Sequence, residues 1–115
     1  MSFDLGLYYD NEPAPVPRHT EGGVYAVGGI TTAELTITYN YSHHFATHLD
    51  TEQGIDWLYG KLAIETIERL EAAVLALGTE RDSNYWNSTP GNAGYTLSIL
   101  LAWARLHPTA VWNGY

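Results

Sequence analysis

From Thr89 to Pro108 the chain reads TPGNAGYTLSILLAWARLHP, and apolar residues crowd it on almost every side. Tyr95, Leu97, Ile99, Leu100, Leu101, Ala102, Trp103, Ala104 and Leu106 leave little room for a polar face, the pattern of a helix buried on most sides. Both ends are marked. Thr89 offers a hydroxyl to a free N–H of the first turn. Pro90 fits the first helical position, where its missing N–H costs nothing. Pro108 biases His107 away from the helical region. These signals predict a central core helix over 90–106.

Earlier in the chain the period is two. Phe3, Leu5, Leu7 and Tyr9 alternate with Asp4, Gly6, Tyr8 and Asp10, which predicts a half-buried first strand. Glu34 to Ser42 repeats the pattern: Leu35, Ile37, Tyr39 and Tyr41 on one side, Thr36, Thr38 and Asn40 on the other. Its β-branched and aromatic residues suit a pleated sheet. Between the two, Asn11 to Thr20 carries Pro13, Pro15 and Pro17; such spacing favours an extended, polyproline-like loop. Gly22 to Gly29 predicts a short strand between two glycine pairs. A phosphate-cradling loop would lead into a helix, whereas Thr31 onward reads as strand. The first 42 residues thus predict about three strands in an antiparallel meander.

Past Ser42 the period lengthens. A short helix is expected from Ser42 to Leu49, and another from Thr51 through Ile55, Trp57, Leu58 and Tyr59 to a bend at Gly60. Lys61 to Leu77 is amphipathic, with Ala63, Ile67, Leu70, Val74 and Leu77 as the core stripe, and Gly78 as its stop. The polar stretch Thr79 to Ser88 crosses to the central helix. The whole is one α+β domain over 1–115: strand-rich over 1–42, helical over 43–108, and an edge strand or tail over 109–115. A small antiparallel sheet packs on the C-terminal helices.

Charge narrows the function classes. The 115 residues hold 5 Lys and Arg against 13 Asp and Glu, a formal charge of −8. A chain so acidic is repelled by phosphate backbones, which argues against general nucleic-acid binding. There is no cysteine, so disulfides and thiol catalysis are excluded. The longest apolar run falls far short of the roughly 20 residues that span a bilayer. No basic stretch followed by an apolar run opens the chain, so a signal peptide is not expected. With 4 Trp, 9 Tyr and 2 Phe, apolar surface can exceed what one small core hides, and a homo-oligomer stays an open reading.

LTITYNYS, WLYGK and YWNSTPGNAGYTLSILLAWARLHP together resemble small proteins of unknown function encoded by tailed bacteriophages. The resemblance covers residues 35–108. It implies a protein of the infected host's cytoplasm, in a host-takeover or counter-defence role, and it carries no catalytic residue across.

Two constellations stand out. In SHHFATHLD, His44 and His48 lie one helical turn apart, so that they can share a zinc ion with Asp50, Glu52 or His43 as a third ligand. The metalloprotease HExxH spacing is absent, and structural zinc wants four ligands, so no metal is assigned; a metal-dependent hydrolase on His43, His44 and His48 is the alternative function. The second is Asn84 to Gly94, which is rich in amides and aromatics and runs into a helix N-terminus. Arg81, Tyr85, Trp86, Asn87 and Asn92, with Arg18, are the expected ligand- or partner-binding residues. The four arginines Arg18, Arg69, Arg81 and Arg105 are each expected to neutralise a carboxylate. No serine-nucleophile motif such as GxSxG occurs, and no pattern asks for a cofactor. The expected function is a binding protein that engages a host protein or sequesters a small polar ligand. An oligomeric assembly component is the remaining alternative.

Overall fold

A computed structural model of the chain describes residues 2–22 and 27–114. The strand expected over Gly22–Gly29 falls mostly on 23–26 and so lies largely outside the described residues. β1 (Ser2–Tyr9) is the shared partner of three other strands, all antiparallel to it. β2 (Glu12–Pro13) returns after a tight turn at Asp10, which has φ 55°. β5 (Glu34–Thr38) runs from Ser2 opposite Thr38 to Gly6 opposite Glu34. β6 (Val111–Gly114) runs from Leu5 opposite Gly114 to Tyr8 opposite Val111. The Leu7 N–H donates to the Ala33 carbonyl at 2.9 Å, and its carbonyl accepts from the Ala14 N–H at 2.8 Å, so one buried leucine ties the start of β5 to the end of β2.

The proline segment is not a free loop. β3 (Pro15–His19) pairs with β4 (Ile30–Thr32) as a separate two-stranded sheet. Prolines suit such an edge strand because they lack a ladder N–H only where no partner is needed. The meander is also broken: β5 does not pair with β4 but returns to β1. The strand expected to reach Ser42 ends at Thr38. Thr38 Oγ1 accepts from the Asn40 N–H at 3.2 Å, and this local bond starts a 3-10 turn over Tyr39–Tyr41.

The helical part holds α1 (Ser42–His48), a 3-10 turn at Gly54–Leu58, α2 (Ala63–Leu77) and α3 (Pro90–Leu106). The start of α2 is fixed by Glu65, whose Oε1 accepts from the Leu62 N–H at 3.0 Å. At α3, Thr89 Oγ1 accepts from the Asn92 N–H at 3.1 Å, the cap its sequence predicts. Nine residues of α3 are buried, among them Leu97, Leu100 and Ala104, against five in α2. It is not apolar contact all round, however. Ala102, Arg105 and Leu106 face outward, and Arg105 pairs with Glu71 of α2.

Two glycines let α3 settle against the end of α2. A methyl built on Gly94 would overlap the Gly78 carbonyl oxygen, and one on Gly91 the Glu80 carbonyl oxygen. The chain end is part of the core: Trp112 is wholly buried, and its indole N–H donates to Thr66 Oγ1 at 2.9 Å. No helix among the described residues is long and apolar enough to cross a membrane.

Candidate functional site

The segment between α2 and α3 is held by its own side chains. Gly78, at φ 77°, ends α2. Asp82 Oδ2 then accepts from the Asn84 N–H at 2.9 Å and from Asn87 Nδ2 at 2.8 Å. Asn84 Oδ1 accepts from the Trp86 N–H at 3.1 Å. Asn92 enters from beneath: Oδ1 accepts from the Asp82 N–H at 2.8 Å, while Nδ2 donates to the Asn84 and Asn87 carbonyls at 3.1 and 2.9 Å. All its amide capacity is directed into the turn, and the residue is buried.

A second set of bonds clamps this turn to the segment after β5. Asn40 Nδ2 donates to the Trp86 carbonyl at 2.9 Å, and Ser88 Oγ donates to the Asn40 carbonyl at 2.6 Å. The Tyr41 hydroxyl donates to the Tyr85 carbonyl. His44 Nε2 lies 3.0 Å from the Ser88 carbonyl; a carbonyl only accepts, so the proton sits on Nε2. Tyr85 reaches across so that its hydroxyl accepts from the Thr38 N–H at 3.3 Å. Trp86 is left facing out, with 62% of its surface exposed.

The clamped turn forms one wall of a cleft of about 660 Å³. Leu35, Thr36 and Thr38 line it from β5, Tyr95, Thr96 and Ile99 from α3, and Thr20, Glu21 and Gly22 from the stretch after β3. The Arg81 guanidinium lies 4.4 Å from the Tyr95 ring centroid, within cation–π range. The Tyr95 hydroxyl donates to Glu21 Oε1 at 3.0 Å. Glu21 is positioned in turn by His19, whose Nδ1 accepts from the Glu21 N–H at 3.2 Å. His19 Nε2 donates to the Thr32 carbonyl at 2.9 Å, and its ring packs on Trp103. Burial, then the hydrogen bond to Glu21 and its charge, raise the Tyr95 pKa against a smaller opposing effect of Arg81. Burial also raises Tyr85, partly offset by the Thr38 N–H. Both phenols therefore stay neutral donors.

Of the expected binding residues, Arg81, Tyr85 and Trp86 line the cleft together. Asn87 and Asn92 do not; they brace the turn behind it. Arg18 lies elsewhere, donating to the Gly28 carbonyl at 3.2 Å. The α3 N-terminus opens not into the cleft but into a shallower hollow that Glu80 and Asp82 share with Arg81, so its dipole is already met by acidic neighbours. The arginines correct the sequence reading as well. Among the described residues, only Arg105 forms an ion pair. Arg69 donates to the Leu49 carbonyl at 3.1 Å and lies over Trp57, while Arg81 lies over Tyr95, so carbonyls and rings take the place of carboxylates.

His43 and His44 stack with ring centroids 4.0 Å apart, and Asp50 Oδ2 accepts from the Glu52 and Gln53 N–H groups at 3.1 and 2.7 Å. Among the described residues, no group of three or more His, Cys, Asp or Glu is placed to hold a metal. The residues that sequence reasoning missed are Glu21 and Tyr95. Tyr95 carried a signal, since it is the one phenol on an otherwise apolar helix; Glu21, beside a glycine pair, carried none. Comparison with protein families, with curated proteins and with solved structures finds no match to this chain.

Proposed function

We propose that the protein is a binding protein that sequesters a small polar ligand in the cleft between the 79–88 turn, β5 and α3. The observation that carries this reading is the pairing, at one rim, of an outward-facing Trp86 with an Arg81 that has no carboxylate partner among the described residues. An exposed tryptophan costs solvation free energy unless something covers it. The Arg81 guanidinium meets the Tyr95 ring and no carboxylate among the described residues, which leaves its charge and its N–H donors available at the cleft. Concavity favours a small ligand over a flat protein partner, and the volume lies within the range of about 300–1,000 Å³ usual for such sites.

The resemblance of residues 35–108 to small tailed-phage proteins supports placing this binding in the cytoplasm of an infected bacterium. There, removing a host signal or metabolite would serve takeover or counter-defence. Bound metabolites are sought by incubating the purified protein with a bacterial small-molecule extract, then by thermal shift and calorimetry on the fractions retained. A ligand bound by the native chain and lost in Trp86→Ala, with the fold intact by circular dichroism, is the expected result. Retention of no ligand, or equal retention by Trp86→Ala, refutes the proposal.

A further inference from the structure

We infer that the ligand of this cleft is a free mononucleotide, one base and one phosphate, an inference that rests on the cleft being a binding site. Three features of the lining define the class. The first is aromatic. The Tyr85 and Trp86 rings meet at 5.1 Å and 79°, and the Tyr85 hydroxyl is anchored to the Thr38 N–H. One ring is thus fixed against the fold while the other presents a free face. A free indole face on a rigid support is a stacking platform for a planar base.

The second feature is the cation. The Arg81 guanidinium lies over the Tyr95 ring. Its in-plane N–H donors have no hydrogen-bond partner among the described residues. Such a fork matches two oxygens of one phosphate, and a guanidinium already held over a ring loses less freedom when it binds. The third feature sets the charge. Glu21 lines the same cleft and gives only Oε1 to Tyr95. Its second oxygen has no partner among the described residues and serves as an acceptor for a ribose hydroxyl or a base amino group. One arginine opposed by one carboxylate, in a chain of charge −8, suits a single phosphate and disfavours a polyphosphate or a strand.

The test is isothermal titration of the full chain at fixed salt. The probes are adenosine and guanosine monophosphates, the nucleosides adenosine and guanosine, phenyl phosphate and a short oligonucleotide phosphorylated at its end. At least one monophosphate should bind, and its nucleoside should bind about tenfold or more weakly. Arg81→Gln should erase that difference, and Arg81→Lys should keep part of it. Trp86→Ala should weaken nucleotide and nucleoside alike, by about tenfold. Circular dichroism melts confirm that each variant is folded. Unchanged monophosphate affinity in Arg81→Gln overturns the phosphate assignment, and tighter binding of the oligonucleotide than of any monophosphate overturns a free nucleotide. If no nucleotide binds while a ligand from the extract binds in a Trp86-dependent way, the ligand class is wrong and the cleft stands. If nothing binds at all, both fall.

Discussion

Asn92→Ala separates a residue that touches a ligand from one that builds the wall a ligand touches. The side chain makes three hydrogen bonds, to the Asp82 N–H at 2.8 Å and to the Asn84 and Asn87 carbonyls at 3.1 and 2.9 Å. Each such neutral bond is worth about 1 kcal/mol net. The three partners sit on exposed residues, so water can reach them once the amide is gone and no full burial penalty is added. Asn92 sits in the first turn of α3, where alanine regains only part of its helix-interior advantage of about 0.6 kcal/mol. The Thr89 cap bonds the backbone N–H and survives the change. The net expectation is a loss of about 2 kcal/mol, roughly 8 °C in Tm for a domain of this size. Asn92→Asp keeps the acceptor but turns a carboxylate toward two carbonyls, so it should be no better than alanine. Thermal and urea unfolding read the stability, and hydrogen exchange reads the Asp82 amide, whose protection should fall selectively. Ligand affinity should fall with it, because Tyr85 and Trp86 ride on the same turn. An unchanged Tm, or a lowered Tm with the Asp82 amide still protected, would refute the reasoning.

Other consequences are more direct. Gly94→Ala should destabilise by about 2 kcal/mol, although glycine to alanine in an ordinary helix gains about 1, because the methyl meets the Gly78 backbone carbonyl, which cannot swing aside; a raised Tm would contradict the close approach of α3. Leu100→Ala, at a wholly buried site, should cost about 2–5 kcal/mol in urea unfolding; a midpoint unmoved would place α3 outside the core. Burial pushes the Tyr41 and Tyr59 hydroxyls up to about 12. Their unfolded value is about 10, so the fold favours the neutral form. That stability is intact below about pH 10 and is lost as pH rises through about 12. Urea midpoints should therefore hold up to about pH 10 and then drop, and a midpoint flat beyond that range would count against both phenols being buried.

The helices were legible because their signals are local. Thr89, Pro90 and Pro108 mark the two ends of α3 through their own backbone chemistry, and the stripe of α2 needs only a period. The sheet was less so. Leu35 and Ile37 reveal that a strand exists, but not that it skips β4 to pair with β1, since pairing partners are chosen by packing far along the chain. The end at Thr38 hid for another reason: Tyr39 and Tyr41 keep the alternation, while a single hydroxyl bond to the Asn40 N–H turns the backbone. The tail offered two readings because Val111 and Trp112 are apolar in either. What decides is Thr66, a hydroxyl buried on α2 with the right geometry for the Trp112 indole N–H, and no local pattern announces such a pair.

The cleft was half legible for the same physical reason. Composition alone singles out Asn84 to Gly94, because amides and aromatics cluster there and no charge does. Composition does not distinguish an amide that faces solvent from one that faces its own turn. Asn84, Asn87 and Asn92 are the same chemistry in three places, and geometry spends all three inside the turn: Asn92 on backbone groups, Asn84 on a backbone N–H and on Asn87, and Asn87 on the Asp82 and Asn84 side chains. What is left over is what a ligand can use: the indole of Trp86, the edge of Arg81, and one oxygen of Glu21. Another wall joins two residues 74 positions apart, where Tyr95 meets Glu21, and His19 accepts from the backbone N–H of that glutamate. Glu21 makes the cleft less cationic than the turn alone suggests. A site read from the turn by itself would accept any anion. The cleft as folded sets one cation against one carboxylate beside a stacking face, and so favours a ligand that presents an acceptor, a donor and a flat ring at once.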